Sequence, residues 1–283
     1  PIDFDPGAGV ANLPFDGNDF YFAKYDSVGN YVWAKIINVG NGNSLWENKM
    51  HAIHVDSNLN IYLGGQFQNT MDIDPDATTV TLANPGGSNC NCTVGFYAKY
   101  NNNGALLWGR ADTRNAAIRD LHVHDATGRI ALAGERSTNF GTPFRLVSAA
   151  GAGIDSLTGG RIISTCARFD AAGNVYYSGY FSSSNNDFDW GNGTTYLSSQ
   201  ATYENVGFTA KYSNTSQFQW VRAYSPTNDT SYRAAYYEVN IAPDDNPLLS
   251  FSESNGNNVI KGFYKVNAAN GNEIWSPLHS IFG

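Results

Sequence analysis

Apolar and polar residues alternate in short runs along most of this chain, and no stretch keeps helical spacing over a useful length. In GFYAKY at 95–100 the alternation puts Phe96, Ala98 and Tyr100 on one side of a strand, with Tyr97 and Lys99 on the other. Runs of this kind are joined by D/N/S-x-x-G segments: Asp26 with Gly29, Asn101 with Gly104, Asp125 with Gly128, Asp170 with Gly173. This pattern predicts hairpins, because the Asp or Asn side chain caps the amides of its own turn and glycine accepts a positive φ without steric cost. Most of the conspicuous Asp and Asn residues therefore have a structural role.

Two phrases recur. The first reads FYFAKYDSVGNYVWAK at 20–35, GFYAKYNNNGALLWGR at 95–110, GFTAKYSNTSQFQWVR at 207–222 and GFYKVNAANGNEIWSP at 262–277. The second reads HAIHVDSNLNIYLGGQF at 51–67, LHVHDATGRIALAGE at 121–135, CARFDAAGNVYYSGYF at 166–181 and, more worn, VNIAPDDNPLLSF at 239–251. FRLVSAAGAGIDSL at 144–157 stands as a degenerate first phrase. Each phrase is a hairpin and two hairpins make four antiparallel strands, the content of one propeller blade. The expectation is an all-β fold, a β-propeller of four-stranded antiparallel blades occupying 1–283 as one domain or segment. A half blade at 1–36 precedes blades at about 51–111, 117–158, 161–224 and 235–277. Nothing after Trp275 supplies the hairpin that would close the ring, so a segment of a larger propeller is expected. Trp33, Trp108, Trp220 and Trp275 hold equivalent positions and are expected to be buried between neighbouring sheets. Lys24, Lys99, Lys211 and Lys265 recur beside them and are expected on exposed strand edges.

Composition narrows the function. Charged residues make up 15% of the 283, below the roughly 25% of a typical soluble domain, and the net charge is −8 with no basic cluster. That balance opposes phosphate backbones, so nucleic acid is excluded as a partner. No apolar run approaches the roughly 18 residues of a spanning helix, and direct membrane insertion is not expected. The chain opens on Pro1 without a basic stretch leading into an apolar one, so any export signal is expected to have been removed or to lie outside this stretch. Cys90 and Cys92 suit an exposed disulfide or thiol pair, with Cys166 a small core residue.

Few constellations carry chemistry. Asp72, Asp74 and Asp76 stand at alternate positions, a spacing by which a loop can wrap Ca²⁺ with oxygen ligands, or cap its own turn. His122 and His124 share a strand face, but the corresponding His51 and His54 fall on different faces, which argues against a metal site. Nucleophile motifs, P-loops and G-x-G-x-x-G are absent, and no catalytic residue is assigned. Trp46, in NGNSLWEN at 41–48, lies outside the repeated strands and is the residue expected to contact a partner.

The two phrases, with DFDPG at 3–7, DIDPD at 72–76 and DFDWG at 187–191 between them, resemble the SBBP repeats of secreted Bacteroidota propellers. The resemblance implies a secreted or cell-surface protein, exported by the type IX secretion system and associated with adhesion or gliding motility. It implies a non-enzymatic binding or display module whose partners are a surface protein, a glycan or the export machinery. The alternative is an extracellular propeller enzyme with an axial site, either a glycoside hydrolase or lyase or, from the Gly-x-x-x-Trp spacing, a quinoprotein-like dehydrogenase.

Overall fold

Each D-x-x-G turn closes on its own first side chain. In the computed structural model, which describes residues 2–14, 19–40, 48–87, 92–136, 143–157, 161–182, 185–198, 205–224, 233–254, 259–275 and 280–282, Asp26 Oδ1 accepts from the amides of Val28 (2.9 Å) and Asn30 (2.8 Å). Asp56 and Asp170 accept from the amides of Asn60 and Asn174 in the same way. The asparagine side chain donates back to the other carboxylate oxygen at 2.8 Å in all three turns. Two turns add a third donor, since Tyr62 and Tyr176 hydroxyls reach Asp56 and Asp170. That explains the recurring D-x-x-x-N-x-Y spelling.

The fourth turn position is left-handed whatever residue fills it: Gly29 at φ +89°, Gly104 at +78° and Gly173 at +80°, but also Leu59 at +63°, Ser216 at +65° and Asp245 at +59°. The worn copy at Ala242 loses the capping side chain yet keeps the backbone turn, with Asp245 N donating to Ala242 O. Two turns are one residue longer: His124 O accepts from both Thr127 and Gly128, so that turn starts at His124 rather than Asp125, and Asn267 O accepts from both Asn270 and Gly271.

All regular secondary structure among the described residues is strand. In chain order the strands are β1 (Ile2–Asp3), β2 (Asn12–Leu13), β3 (Phe20–Tyr25), β4 (Tyr31–Val39), β5 (Lys49–Val55), β6 (Ile61–Phe67), β7 (Thr70–Asp72), β8 (Thr81–Ala83), β9 (Val94–Tyr100), β10 (Leu106–Asp112), β11 (Asn115–His124), β12 (Arg129–Arg136) and β13 (Phe144–Val147). There follow β14 (Gly153–Leu157), β15 (Ile162–Phe169), β16 (Val175–Phe181), β17 (Asn186–Asp187), β18 (Tyr196–Leu197), β19 (Val206–Tyr212), β20 (Phe218–Tyr224), β21 (Arg233–Ile241), β22 (Pro247–Ser254), β23 (Val259–Val266), β24 (Glu273–Trp275) and β25 (Ser280–Phe282).

Four sheets follow the two-hairpin order expected: β5-β6-β9-β10, β11-β12-β13-β14, β15-β16-β19-β20 and β21-β22-β23-β24, with β25 also on β23. The degenerate phrase is a true hairpin, turning at Ser148 and Gly151. The first sheet has four strands rather than the two expected at 1–36, in the order β3-β4-β7-β8. Its second hairpin comes from the DIDPD stretch inside 51–111, which leaves its own sheet and pairs with β4 through Asn38↔Asp72 and Val39↔Met71. Among the described residues one edge of β3 has no strand partner, whereas β9, β19 and β23 each have one on the corresponding edge (β6, β16 and β22).

The chain forms two compact units, Pro1–Ala117 and Ile118–Gly283. In the first, Phe20, Phe22, Ile37 and Val39 of one sheet meet Leu63, Phe67, Phe96 and Tyr100 of the next, with Phe20 and Phe96 rings stacked at 5.7 Å. In the second, Phe144 of β13 stacks on Tyr177 at 4.7 Å and meets Phe208 at 5.5 Å. A further layer sets Cys166, Tyr176 and Trp220 against Tyr237, Val239, Phe251 and Tyr264. Burying each such ring stabilises the fold by roughly 1.5–3 kcal/mol.

Candidate functional site

The two most conspicuous residues of the first phrase are direct cross-strand neighbours. Lys24 is paired with Trp33, Lys99 with Trp108, Lys211 with Trp220 and Lys265 with Trp275. In every copy the register slips beside this pair, a bulge that turns the strand end and aims both side chains the same way. The lysines lie on β3, β9, β19 and β23. In the last three sheets that strand is interior, so these lysines are not the edge guards that the sequence suggested.

Their surroundings are specific. Lys99 lies over the Tyr62 ring at 5.0 Å and Lys211 over the Tyr176 ring at 5.1 Å, each lysine being the cross-strand neighbour of its tyrosine. Burial holds the Lys211 ammonium below its ordinary pKa, against the opposing pull of Asp170. Asp56 is lowered although burial opposes it, because Asn60, the Tyr62 hydroxyl and Lys99 outweigh the burial.

Two of the four pairs grip the turn of the next sheet's hairpin. Lys24 Nζ donates to Asn102 Oδ1, and the edge of Trp33 lies 3.2 Å from where a Cβ on Gly104 would stand. Lys211 Nζ and Trp220 Nε1 both donate to Ala268 O, at 2.8 and 3.1 Å, and Trp220 Cε3 lies 2.7 Å from the Cβ position of Gly271. Only glycine fits beneath the indole, which joins its role at positive φ to a role in packing. Burial of the tryptophans is uneven, contrary to expectation: Trp220 is 4% exposed, Trp33 and Trp108 are half-buried, and Trp275 is 52% exposed.

The D-x-D stretches are a second repeated device. Asp3 Oδ1 accepts from Asp5 and Ala11 amides, Asp72 Oδ1 from Asp74 and Val80, and Asp187 Oδ1 from Asp189 and Thr195, at 2.8–3.3 Å. The second carboxylate caps the amide two residues on in each copy. Between them Phe4, Ile73 and Phe188 are buried, and their carbonyls accept from the hydroxyls of Tyr25, Tyr100 and Tyr212 at 2.9, 2.9 and 2.6 Å. Burial pushes the Tyr100 and Tyr212 hydroxyls well above their ordinary pKa, so both stay protonated donors. Of the residues singled out for calcium, Asp72 and Asp74 thus cap amides and Asp76 pairs with Lys35 at 2.6 Å. Among the described residues no three His, Cys, Asp or Glu side chains are grouped to hold a metal ion. Sequence reading missed the tyrosine link, although the last Tyr of each FYAKY-type phrase signalled it.

Trp46 lies outside the described residues, as does Cys90. Cys92 is disulfide-bonded, while Cys166 is buried and free, and its Sγ donates to Val239 O at 3.4 Å. Burial raises the Cys166 pKa, which suits a core thiol rather than a nucleophile. His122 Nδ1 accepts from Phe169 N at 3.2 Å, and His124 Nδ1 meets Thr127 Oγ1 at 2.9 Å, so the two imidazoles are used in neighbouring contacts.

Open grooves are found among the described residues. One of about 440 Å³ runs beside β3 and β5, between Phe20–Ala23 and Met50–Ile53. Another, about 500 Å³, lies on the last sheet among Glu238, Ser250, Ser252, Phe251, Val259 and Lys261. Its charged and hydroxyl groups could orient a polar ligand over an aromatic floor. No known family model matches this chain, and no curated protein matches it.

Proposed function

We propose that this chain is a secreted or cell-surface binding and display module without catalytic activity, built as part of a β-propeller of the SBBP type and exported by the type IX system. The observation that carries this reading is the junction, found twice, in which a Lys–Trp pair holds the Asn-to-Gly turn of the next hairpin. The same residues meet in the same way at one junction in each of the two units, which supports a similar rotation between the sheets joined there, as fanned blades require. The repeated polar and aromatic residues are spent on caps, cross-strand pairs and interblade contacts, leaving loops and grooves for recognition. The low charge content and absence of a basic cluster favour a surface protein or a neutral glycan as partner.

The test is a glycan array and a surface-protein binding screen run beside assays for glycan cleavage and quinone-dependent oxidation. Binding without turnover, weakened by Trp46→Ala in a protein that still folds, is the expected result. Turnover in either assay would replace this reading with that of an axial enzyme.

A further inference from the structure

The dipeptide Asn-Gly occurs in three places among the described residues: Asn103–Gly104, Asn192–Gly193 and Asn270–Gly271. It is open to attack by its own backbone, because glycine leaves the amide that follows the asparagine unscreened by a side chain. Two of the pairs are locked in gripped turns. Gly104 N donates to Asn101 O at 2.9 Å and Gly271 N to Asn267 O at 2.8 Å, and Trp33 and Trp220 lie against the two glycines. Asn270 Oδ1 also accepts from the Asn272 amide at 2.9 Å. Asn192–Gly193 lies instead at the tip of the loop between β17 and β18, which is closed at its base by Phe188 N on Thr195 O and by Thr195 N on Asp187 Oδ1. Both tip residues are exposed, and among the described residues neither the Gly193 amide nor the Asn192 side chain is engaged in a hydrogen bond. The glycine itself is a packing requirement, since Asp189 Oδ2 lies 2.3 Å from where a Cβ on Gly193 would stand. In the sister loop Asp5 Oδ2 lies 2.1 Å from the same position of Gly9, but Ala8 precedes that glycine, so the loop does not need the amide.

We propose that Asn192 is a site of spontaneous deamidation and that the gripped turns protect Asn103 and Asn270 from the same reaction. The Gly193 nitrogen gives up its proton and bonds to Asn192 Cγ, while the side-chain nitrogen takes up a proton and leaves as ammonia. Water then opens the succinimide, so one water is consumed, one ammonia is released, and nothing is oxidised or reduced. Opening at Cγ gives aspartate. Opening at the main-chain carbonyl gives isoaspartate, whose main chain runs through the former side chain and is one carbon longer. Either product sets a new carboxylate beside Asp187 and Asp189, the residues whose caps organise this loop, and so adds like-charge repulsion to it. In the gripped turns the attacking amide is already donating, and the turn must open before it can react.

The test follows the three sites in the folded 283-residue protein held at mildly alkaline pH, with samples digested in acid and read by peptide mass spectrometry, and repeats the course in guanidinium chloride. Labelling by an isoaspartyl methyltransferase identifies the isoaspartate product. The unfolded chain gives the reactivity of each dipeptide by itself, so the ratio of folded to unfolded rate isolates what the structure adds. The expected result is a ratio near unity at Asn192 and ratios lower by at least about tenfold at Asn103 and Asn270, where attack waits on the opening of a hydrogen-bonded turn. Asn192→Ala, which copies the sister loop, should leave the melting temperature unchanged. Protection of Asn192 equal to that of the other two, conversion of Asn103 or Asn270 in the folded protein at the unfolded rate, or a clear drop in melting temperature in Asn192→Ala overturns the proposal.

Discussion

Lys211 and Trp220, on adjacent strands of one sheet, donate to the same acceptor, the carbonyl of Ala268 in the hairpin turn of the next sheet. Both lone pairs of one peptide oxygen are used by the preceding repeat, one by a cation and one by an indole. The indole also lies against the glycine that ends the turn. A single turn therefore fixes distance and orientation between two sheets at once.

Trp220→Ala should lower the unfolding free energy by about 3–5 kcal/mol, the range for removing a buried large aromatic. Trp275→Ala should stay within about 0.5 kcal/mol, as an exposed substitution does. Urea unfolding of both variants checks the contrast. Equal losses would mean that Trp275 is covered.

Asp187→Ala removes the acceptor for two backbone amides, and a loss of about 1–3 kcal/mol follows from leaving them without a charged partner. Asp187→Asn keeps an oxygen at the same place and should recover most of that loss. The melting temperature of the parent protein should not move when a chelator is added. A clear drop would reassign Asp72, Asp74 and Asp76, with their counterparts, to metal binding.

Leu59 occupies a left-handed position at φ +63° that glycine fills in sister turns, and its side chain is exposed. A left-handed non-glycine residue carries a cost of roughly 1–2 kcal/mol, partly offset by the greater freedom of glycine in the unfolded chain. Leu59→Gly should therefore raise stability by up to about 1 kcal/mol, read as a shift of the urea midpoint. A destabilised variant would show that the leucine side chain contributes packing.

The turn carboxylates also set the acid limit. Hydrogen bonds from the Ala11 amide lower the pKa of Asp3, those from Asn30 lower Asp26, and Lys265 with Asn246 lowers Asp244 to about 2. Folded values below the unfolded value near 3.9 mean stability that is complete above about pH 4 and lost as pH falls through the folded values. Carbon-detected NMR titration of Lys265→Met should show the Asp244 midpoint moving up towards the unfolded value. An unmoved midpoint would transfer the effect to Asn246 alone.

The turns and sheets were legible because their causes are local: an Asx side chain reaches two to four residues along the chain, and glycine takes a positive φ wherever it stands. The equivalence of Trp33, Trp108 and Trp220 was legible from repetition alone. What they touch was not, since the Gly104 and Gly271 turns come from the next repeat and spacing along the chain does not encode that approach. The D-x-D stretches allowed two readings, calcium ligation or turn capping, and the amides of Val80 and Asp74 with the hydroxyl of Tyr100 show the capping contacts that spacing alone could not assign. The lysines misled because alternation distinguishes two faces of a strand but not an edge strand from an interior one.

The hairpin β7–β8 lies within the chain of one sheet but completes another, so the stretch of polypeptide that can be copied is out of phase with the sheet that it builds. A cut at the boundary between these two sheets would leave the first without the strands that cover β4. One made inside the sheets, from an FYAKY-type strand to the strand before the next, would hand on this interlock intact. Lengthening or shortening such an array by whole sheets should therefore fail where the same change made half a sheet out of step succeeds.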